Sequence, residues 1–168
     1  KAGNVVANST VTAGQDAKLL AQNNLTVNQA VQAGQNANLT TELGNLEVVG
    51  SVTAQQGNAI LSAGGNGVLH TQGAVLAGNN VNVTTNNGNL NVDGSVTAQQ
   101  GNANLQAGGD GVIQTQGDVL AGKDVNVTTN NGNLNVAGNV TAQQGNANLT
   151  AGGDGVIHTQ GNILAGNN

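Results

Sequence analysis

Chemistry at a protein surface needs reactive side chains held within a few ångströms of one another. This 168-residue chain offers few: two His, eight Asp or Glu, three Lys, and no Arg or Cys. One arrangement is AGGDGVI at Ala107–Ile113 and Ala151–Ile157, with AGGNGVL at Ala63–Leu69. Gly-rich turns bearing Asp hold calcium when carboxylates from successive turns share one ion, which requires Gly-Gly-x-Gly-x-Asp at a nine-residue period. Here Asp110 and Asp154 are 44 residues apart, Asn66 replaces the first copy, and no second carboxylate lies nearby. The run reads as a Gly-rich corner, and no metal ligand is assigned.

What places the remaining groups is a repeat. GNLNVAGNVTAQQGNANLTAGGDGVIHTQGNILAGNN, from Gly132, nearly copies the stretch from Gly88, which nearly copies the one from Gly44, a period of 44 residues. Within it, Val/Ile-x-Ala recurs at Val11, Val31, Val52, Val75, Val96, Val119, Val140 and Ile163, at spacings of 20, 21, 23, 21, 23, 21 and 23. The 44-residue unit is therefore two turns. Each turn holds two further apolar pairs, one of the type Ala59/Leu61 or Val81/Val83 and one of the type Leu46/Val48 or Leu69/Thr71. Alternation at period two predicts strands, and the β-branched content of such short segments disfavours helix.

Gly, Asn and Asp gather between the pairs, as at Gly64-Gly65-Asn66-Gly67 and Asn86-Asn87-Gly88-Asn89. These residues enter the left-handed backbone region at least cost, which suits sharp turns from one face to the next. The expected fold is all-β: a right-handed parallel β-helix, or β-solenoid, with three short strands per coil, 20–23 residues per coil and about seven to eight coils. Residues 1–168 form one segment, with double-coil repeats starting at 44, 88 and 132. A 44-residue unit without large side chains has to bury its apolar side against the next copy.

Equivalent residues then stack about 4.8 Å apart, so a repeated charge would repel itself along its column. The few charges are interrupted accordingly: Lys123 falls between Gln100 and Gln144, and Asp93 between Gln72 and Gln116. One column reads Thr26, Glu47, His70, Asn91, Gln114, Asn135, His158, which makes Glu47 and His70 neighbours and predicts an exposed ion pair between them. His70 and His158 lie four rungs apart, on the order of 19 Å, too far to share a metal or a proton. Carbohydrate-cleaving β-helices use clustered carboxylates with Lys or Arg on one face, which this composition does not supply. The chain is expected not to be an enzyme, with no catalytic or cofactor-binding residues and no cofactor.

Binding classes narrow in the same way. A net charge of −5 without aromatic residues gives nothing to neutralise phosphates or stack on bases, so nucleic acid is not expected as a partner. No apolar run is of membrane length, and no membrane insertion is expected. An ice-ordering face is disfavoured because the outward residue of Val-x-Ala alternates, with Thr53, Thr97 and Thr141 separated by Leu76 and Leu120. Seven Asn-x-Ser/Thr sequons occur, at Asn8, Asn24, Asn38, Asn82, Asn126, Asn139 and Asn148, in a chain rich in both residue types.

Runs such as GNLNVDGSVTAQQGNANLQAGG and GDVLAGKDVNVTTNNGNLNV resemble the haemagglutinin repeats of filamentous haemagglutinin-type exoproteins, the two-partner-secretion family of Gram-negative bacteria. The likeness spans essentially the whole chain and rests on the cadence of Val-x-Ala-Gly and Gly-x-(Leu/Ile)-x-(Val/Thr). It implies a β-helical shaft threaded through an outer-membrane two-partner-secretion transporter and displayed at the cell surface or secreted. Such shafts serve adhesins, haemolysins or contact-dependent inhibition toxins. Contact with a host or neighbouring cell would then come from regions not present here. The alternative expectation is a self-assembling extracellular filament or matrix subunit, joined by end-to-end self-association of open sheet edges.

Overall fold

A computed structural model describes residues 3–167. Alternating apolar positions become 23 short strands, and among the described residues there is no helix. The strands form three parallel sheets of eight, eight and seven strands. In sequence each coil visits the first sheet, then the second, then the third, as in Leu46–Val48, Val52–Ala54 and Ala59–Ala63. The next coil repeats this with Leu69–Thr71, Val75–Ala77 and Val81–Thr85. Seven coils are complete, and Ile157–Thr159 with Ile163–Ala165 begin an eighth. The result is a β-solenoid with three strands per coil, as the alternation predicts.

Registry is strict. Val75 pairs with Val52 on one side and Val96 on the other, and Leu69 pairs with Leu46 and Leu90. Inward side chains of the three sheets meet on the axis in one core cluster running from Ala17 to Ala142, closed at its ends by partly buried Val5, Val11 and Leu149. Most inward residues of the middle coils are fully buried, Leu39, Leu61, Leu105 and Ile113 among them. Each such side chain contributes roughly 1.5–3 kcal/mol by leaving water. Val and Leu suffice because the triangular section is narrow; an aromatic ring would force the three sheets apart.

Strands of the third sheet are longer than the paired apolar positions indicate. They run five residues, Ala37–Thr41 and Val81–Thr85 for example, with a third inward position at Thr41, Ala63, Thr85, Ala107 and Thr129. The polar end of Ala-x-Leu-x-Thr looks like part of a corner. Inside the fold its hydroxyl is satisfied: Thr41 donates to the Gly44 carbonyl at 2.6 Å, Thr85 to Gly88 at 2.5 Å, and Thr129 to Gly132.

Coil length varies only at two corners. The link from first to second sheet is always three residues, as at 49–51 and 72–74. The link from second to third sheet is four residues at 55–58 but three at 78–80, and the link onward to the first sheet is five at 64–68 but four at 86–89. These two insertions make the 23-residue coils longer than the 21-residue ones while leaving every strand in register.

Glycine's role at the corners departs from the expectation of left-handed backbone. Among the described residues only Gly65, Gly109 and Gly153 have positive φ, near 60°, and no non-glycine residue does. Most other corner glycines answer to stacking. A Cβ on Gly34 would stand 2.1 Å from the Gly14 carbonyl oxygen one rung below, and one on Gly88 would stand 2.1 Å from that of Gly67. With rungs so close and the chain turning, only hydrogen fits between successive backbones there. The Asn residues expected to adopt left-handed backbone do a different job, described below.

Two pairs of substitutions test this packing. Thr71 and Thr115 are buried with hydroxyls that have no hydrogen-bond partner, in a column where Val48, Val92 and Val136 alternate with them. Thr71→Val or Thr115→Val is expected to stabilise by about 1 kcal/mol, whereas Thr85→Val, which orphans the Gly88 carbonyl, should cost about 1–2 kcal/mol in urea unfolding. Gly34→Ala is expected to cost about 1–3 kcal/mol by overpacking. Gly14→Ala, at the equivalent place in the first coil with nothing within 4 Å of the new Cβ, should be close to neutral.

Candidate functional site

Outward side chains are the only groups this solid rod offers a ligand, and each sheet presents a different column. On the first sheet, His70 lies in register between Glu47 and Asn91, and His158 lies in register beside Asn135. The partner of His70 is not the expected Glu47. His70 Nε2 meets Asp93 Oδ2 at 3.0 Å, one rung on and two residues further along, instead of Glu47 directly below. Side chains of one column project in parallel, so the ring tip reaches a diagonal carboxylate more readily than its own stacked neighbour. Both partners are about one-third exposed, at 32% and 37%, so screening limits the pair to roughly 1 kcal/mol or less.

Register keeps His70 and His158 four rungs apart, with Asn91, Gln114 and Asn135 between them. Asp110 and Asp154 each occupy the extra place in a long corner, between a positive-φ glycine and the next Gly, and sit two rungs from one another. Asp110 accepts a hydrogen bond from Asn131 Nδ2 at 3.4 Å. Asp93 follows Val92, whose partners Thr71 and Thr115 place Gln72 and Gln116 on either side of it. Among the described residues no three His, Asp or Glu side chains converge. The second sheet presents Thr53, Leu76, Thr97, Leu120 and Thr141 in one register-aligned stripe.

Stacked Asn residues are expected to hydrogen-bond as ladders; what the sequence reading missed is that those at the corners also serve the backbone of the next rung. Entering the third sheet, Asp16, Asn36, Asn58, Asn80, Asn102, Asp124 and Asn146 stack as one ladder. From Asp16 to Asp124, each Oδ1 accepts the backbone N–H of the next rung at 2.8–3.1 Å. Asn36, Asn58 and Asn80 also donate Nδ2 to the rung below, at 2.9, 3.4 and 3.1 Å. The ladder thus supplies an acceptor to N–H groups that the turning backbone cannot pair. At the corner before the first sheet, Asn45, Asn89 and Asn133 do the same for Val68, Val112 and Val156. A signal was available: Asn or Asp precedes each strand of the third sheet.

A second ladder lies on the outer face of the third sheet. Asn104 donates to Asn82, Asn126 to Asn104 and Asn148 to Asn126, at 2.8, 2.9 and 2.9 Å. Beside it Thr84, Gln106 and Thr128 line an open trough. Amides of four sequons, Asn24, Asn126, Asn139 and Asn148, are donors in these networks.

The ladder has an electrostatic consequence at its base. Asp16 has its carboxyl held below the usual range, first by the Asn36 backbone N–H and then by the Asn36 side-chain amide. Among the described residues the outward columns are mostly uncharged, with amide ladders on the third sheet and a Thr/Leu stripe on the second. Comparison with protein-family models, curated proteins and solved structures gives no match.

Two outcomes follow. Asn80→Ala leaves the Asn102 N–H without its acceptor and is expected to cost about 1–3 kcal/mol in denaturant unfolding, against near neutrality for an outward change such as Thr97→Ser. Because the folded Asp16 titrates lower than the unfolded chain, its contribution is present above the unfolded value and is lost as pH falls through the folded one. Asp16→Asn retains an Oδ1 acceptor, so it should remove part of the acid-side loss of melting temperature while leaving neutral stability nearly unchanged.

Proposed function

We propose that this chain is a structural shaft: a rigid spacer in a secreted or surface-attached bacterial protein of the filamentous haemagglutinin type, presenting binding or effector regions carried elsewhere. The observation that carries this reading is the unbroken registry of three sheets around a packed core, with chemistry-bearing side chains dispersed singly over successive rungs. Such a rod turns chain length into reach at about 4.8 Å per coil. No catalytic role is assigned to it, and neither nucleic acid nor a bilayer enters as a partner.

The resemblance of the repeat supplies the rest of the proposal: passage through an outer-membrane transporter, then display toward a host or neighbouring cell. Physics supports that route in one respect. Each rung pairs with the one before it, so the chain is able to close coil by coil as it emerges, with no Cys to mispair.

A second reading is a self-associating extracellular filament, in which the parallel in-register ladder of the three sheets continues from one chain to the next.

Electron microscopy of the purified chain over a range of concentrations separates the two. The shaft reading expects discrete rods of about 34 Å for seven rung intervals, independent of concentration. Fibres that lengthen with concentration would overturn it in favour of the filament. Globular particles would contradict both.

A further inference from the structure

The corner from the third sheet to the first exists in two hydrogen-bonding forms. In the long form, Gly64-Gly65-Asn66-Gly67, Gly65 has φ 58° and the Gly67 N–H donates to the Gly64 carbonyl at 3.0 Å. This matches a type II′ turn, with Gly at its first central position. The same bond closes Gly108–Gly111 and Gly152–Gly155, at 3.1 Å each. In the short form, Asn86-Asn87-Gly88 and Asn130-Asn131-Gly132, no such bond forms. The Gly88 and Gly132 carbonyls are taken by Thr85 and Thr129. Their N–H groups have no acceptor among the described residues.

The chain's three Asn-Gly pairs all lie in this corner: Asn66-Gly67 in the long form, Asn87-Gly88 and Asn131-Gly132 in the short. We infer that Asn87-Gly88 and Asn131-Gly132 are sites of self-modification, converting to aspartate and isoaspartate, while Asn66-Gly67 is protected by its turn. Asn87 and Asn131 are exposed to water. A following glycine has no Cβ to keep its backbone nitrogen from the preceding side chain. That nitrogen gives its proton to a solvent base and attacks the Asn Cγ. The N–Cγ bond forms, the Cγ–Nδ2 bond breaks, and the amide leaves as ammonia after taking up a proton. Water then opens the cyclic imide at either carbonyl, giving aspartate or, with the chain rerouted through the side chain, isoaspartate. No electrons are transferred.

At Gly67 the nitrogen is engaged in the turn, and the turn has to open before attack. At Gly88 and Gly132 the attacking N–H has no hydrogen bond to break, and at Asn131 only the long 3.4 Å contact of its exposed amide with Asp110 has to yield. The products matter to the rod. Gly109 stacks directly on Asn87, and Gly153 on Asn131. A carboxylate at residue 131 would face Asp110, which now accepts a hydrogen bond from that same amide. Isoaspartate lengthens the backbone at a place where successive rungs leave room only for hydrogen.

The test holds the whole chain in mildly alkaline buffer, native and in urea, and follows isoaspartate and amide loss at each pair by peptide mapping. In urea the three pairs should convert at comparable rates. In the native chain Asn66 should slow at least tenfold relative to urea, while Asn87 and Asn131 stay within about threefold of their urea rates, because protection follows local opening. Conversion of native Asn66 as fast as Asn87 would overturn the inference, as would protection of Asn87 and Asn131 equal to that of Asn66.

Discussion

Every residue of the solenoid meets its own equivalent on the next rung, about 4.8 Å away, through a parallel hydrogen-bonded ladder. That one constraint explains most of the composition. A column must tolerate itself, so Val stacks on Val at 52, 75 and 96, and Leu stacks on Leu or Ile at 69, 90 and 113. A column of carboxylates does not satisfy the condition, whereas a column of amides does, since each amide both donates and accepts. The run of Asn36, Asn58, Asn80 and Asn102 is interrupted by acids only at Asp16 and Asp124, where a carboxylate oxygen serves as the acceptor.

Corners carry the same constraint in its tightest form. Strands stack with their side chains directed inward or outward, but a turning backbone exposes N–H groups that the next rung cannot always meet and brings successive carbonyls close to Cα atoms. Asn oxygens solve the first problem and glycine the second. Insertions occur at two of the three corners; at one of them the Gly-Gly-x-Gly turn absorbs an extra residue through its internal hydrogen bond and leaves the flanking strands undisturbed. A variable coil length is therefore compatible with a fixed register.

Much of this is legible in the sequence, because a period of two inside a period of 44 fixes which residues share a column. The pairing of Val11 with Val31 and of Glu47 with His70 follows directly. What was not legible depends on offsets at the corners or on side-chain reach. The third inward residue of the longest strands alternates between Ala and Thr, and a buried Thr cannot be told from a corner Thr until its acceptor, such as the Gly88 carbonyl, is in place. Glycine's abundance does not distinguish positive φ from close stacking, and stacking accounts for most of it here. His70 turns to Asp93 because a diagonal contact depends on where parallel side chains end, which a column alone does not state. No functional surface was legible because the outward columns were built for compatibility with themselves, and the groups with distinct chemistry are spread one to a rung.

The proposed shaft would need length and stiffness, and both would trace to in-register stacking. The most direct test of that claim is spin-label distance measurement in the Cys-free chain, with cysteine pairs introduced at Thr53/Thr141 and Thr12/Thr141, outward positions of a single column. Stacked coils place these pairs four and six rungs apart, so narrow distributions near about 19 Å and about 29 Å are expected, in the ratio of two to three. Broad distributions, or two distances that do not scale with rung number, would contradict the account.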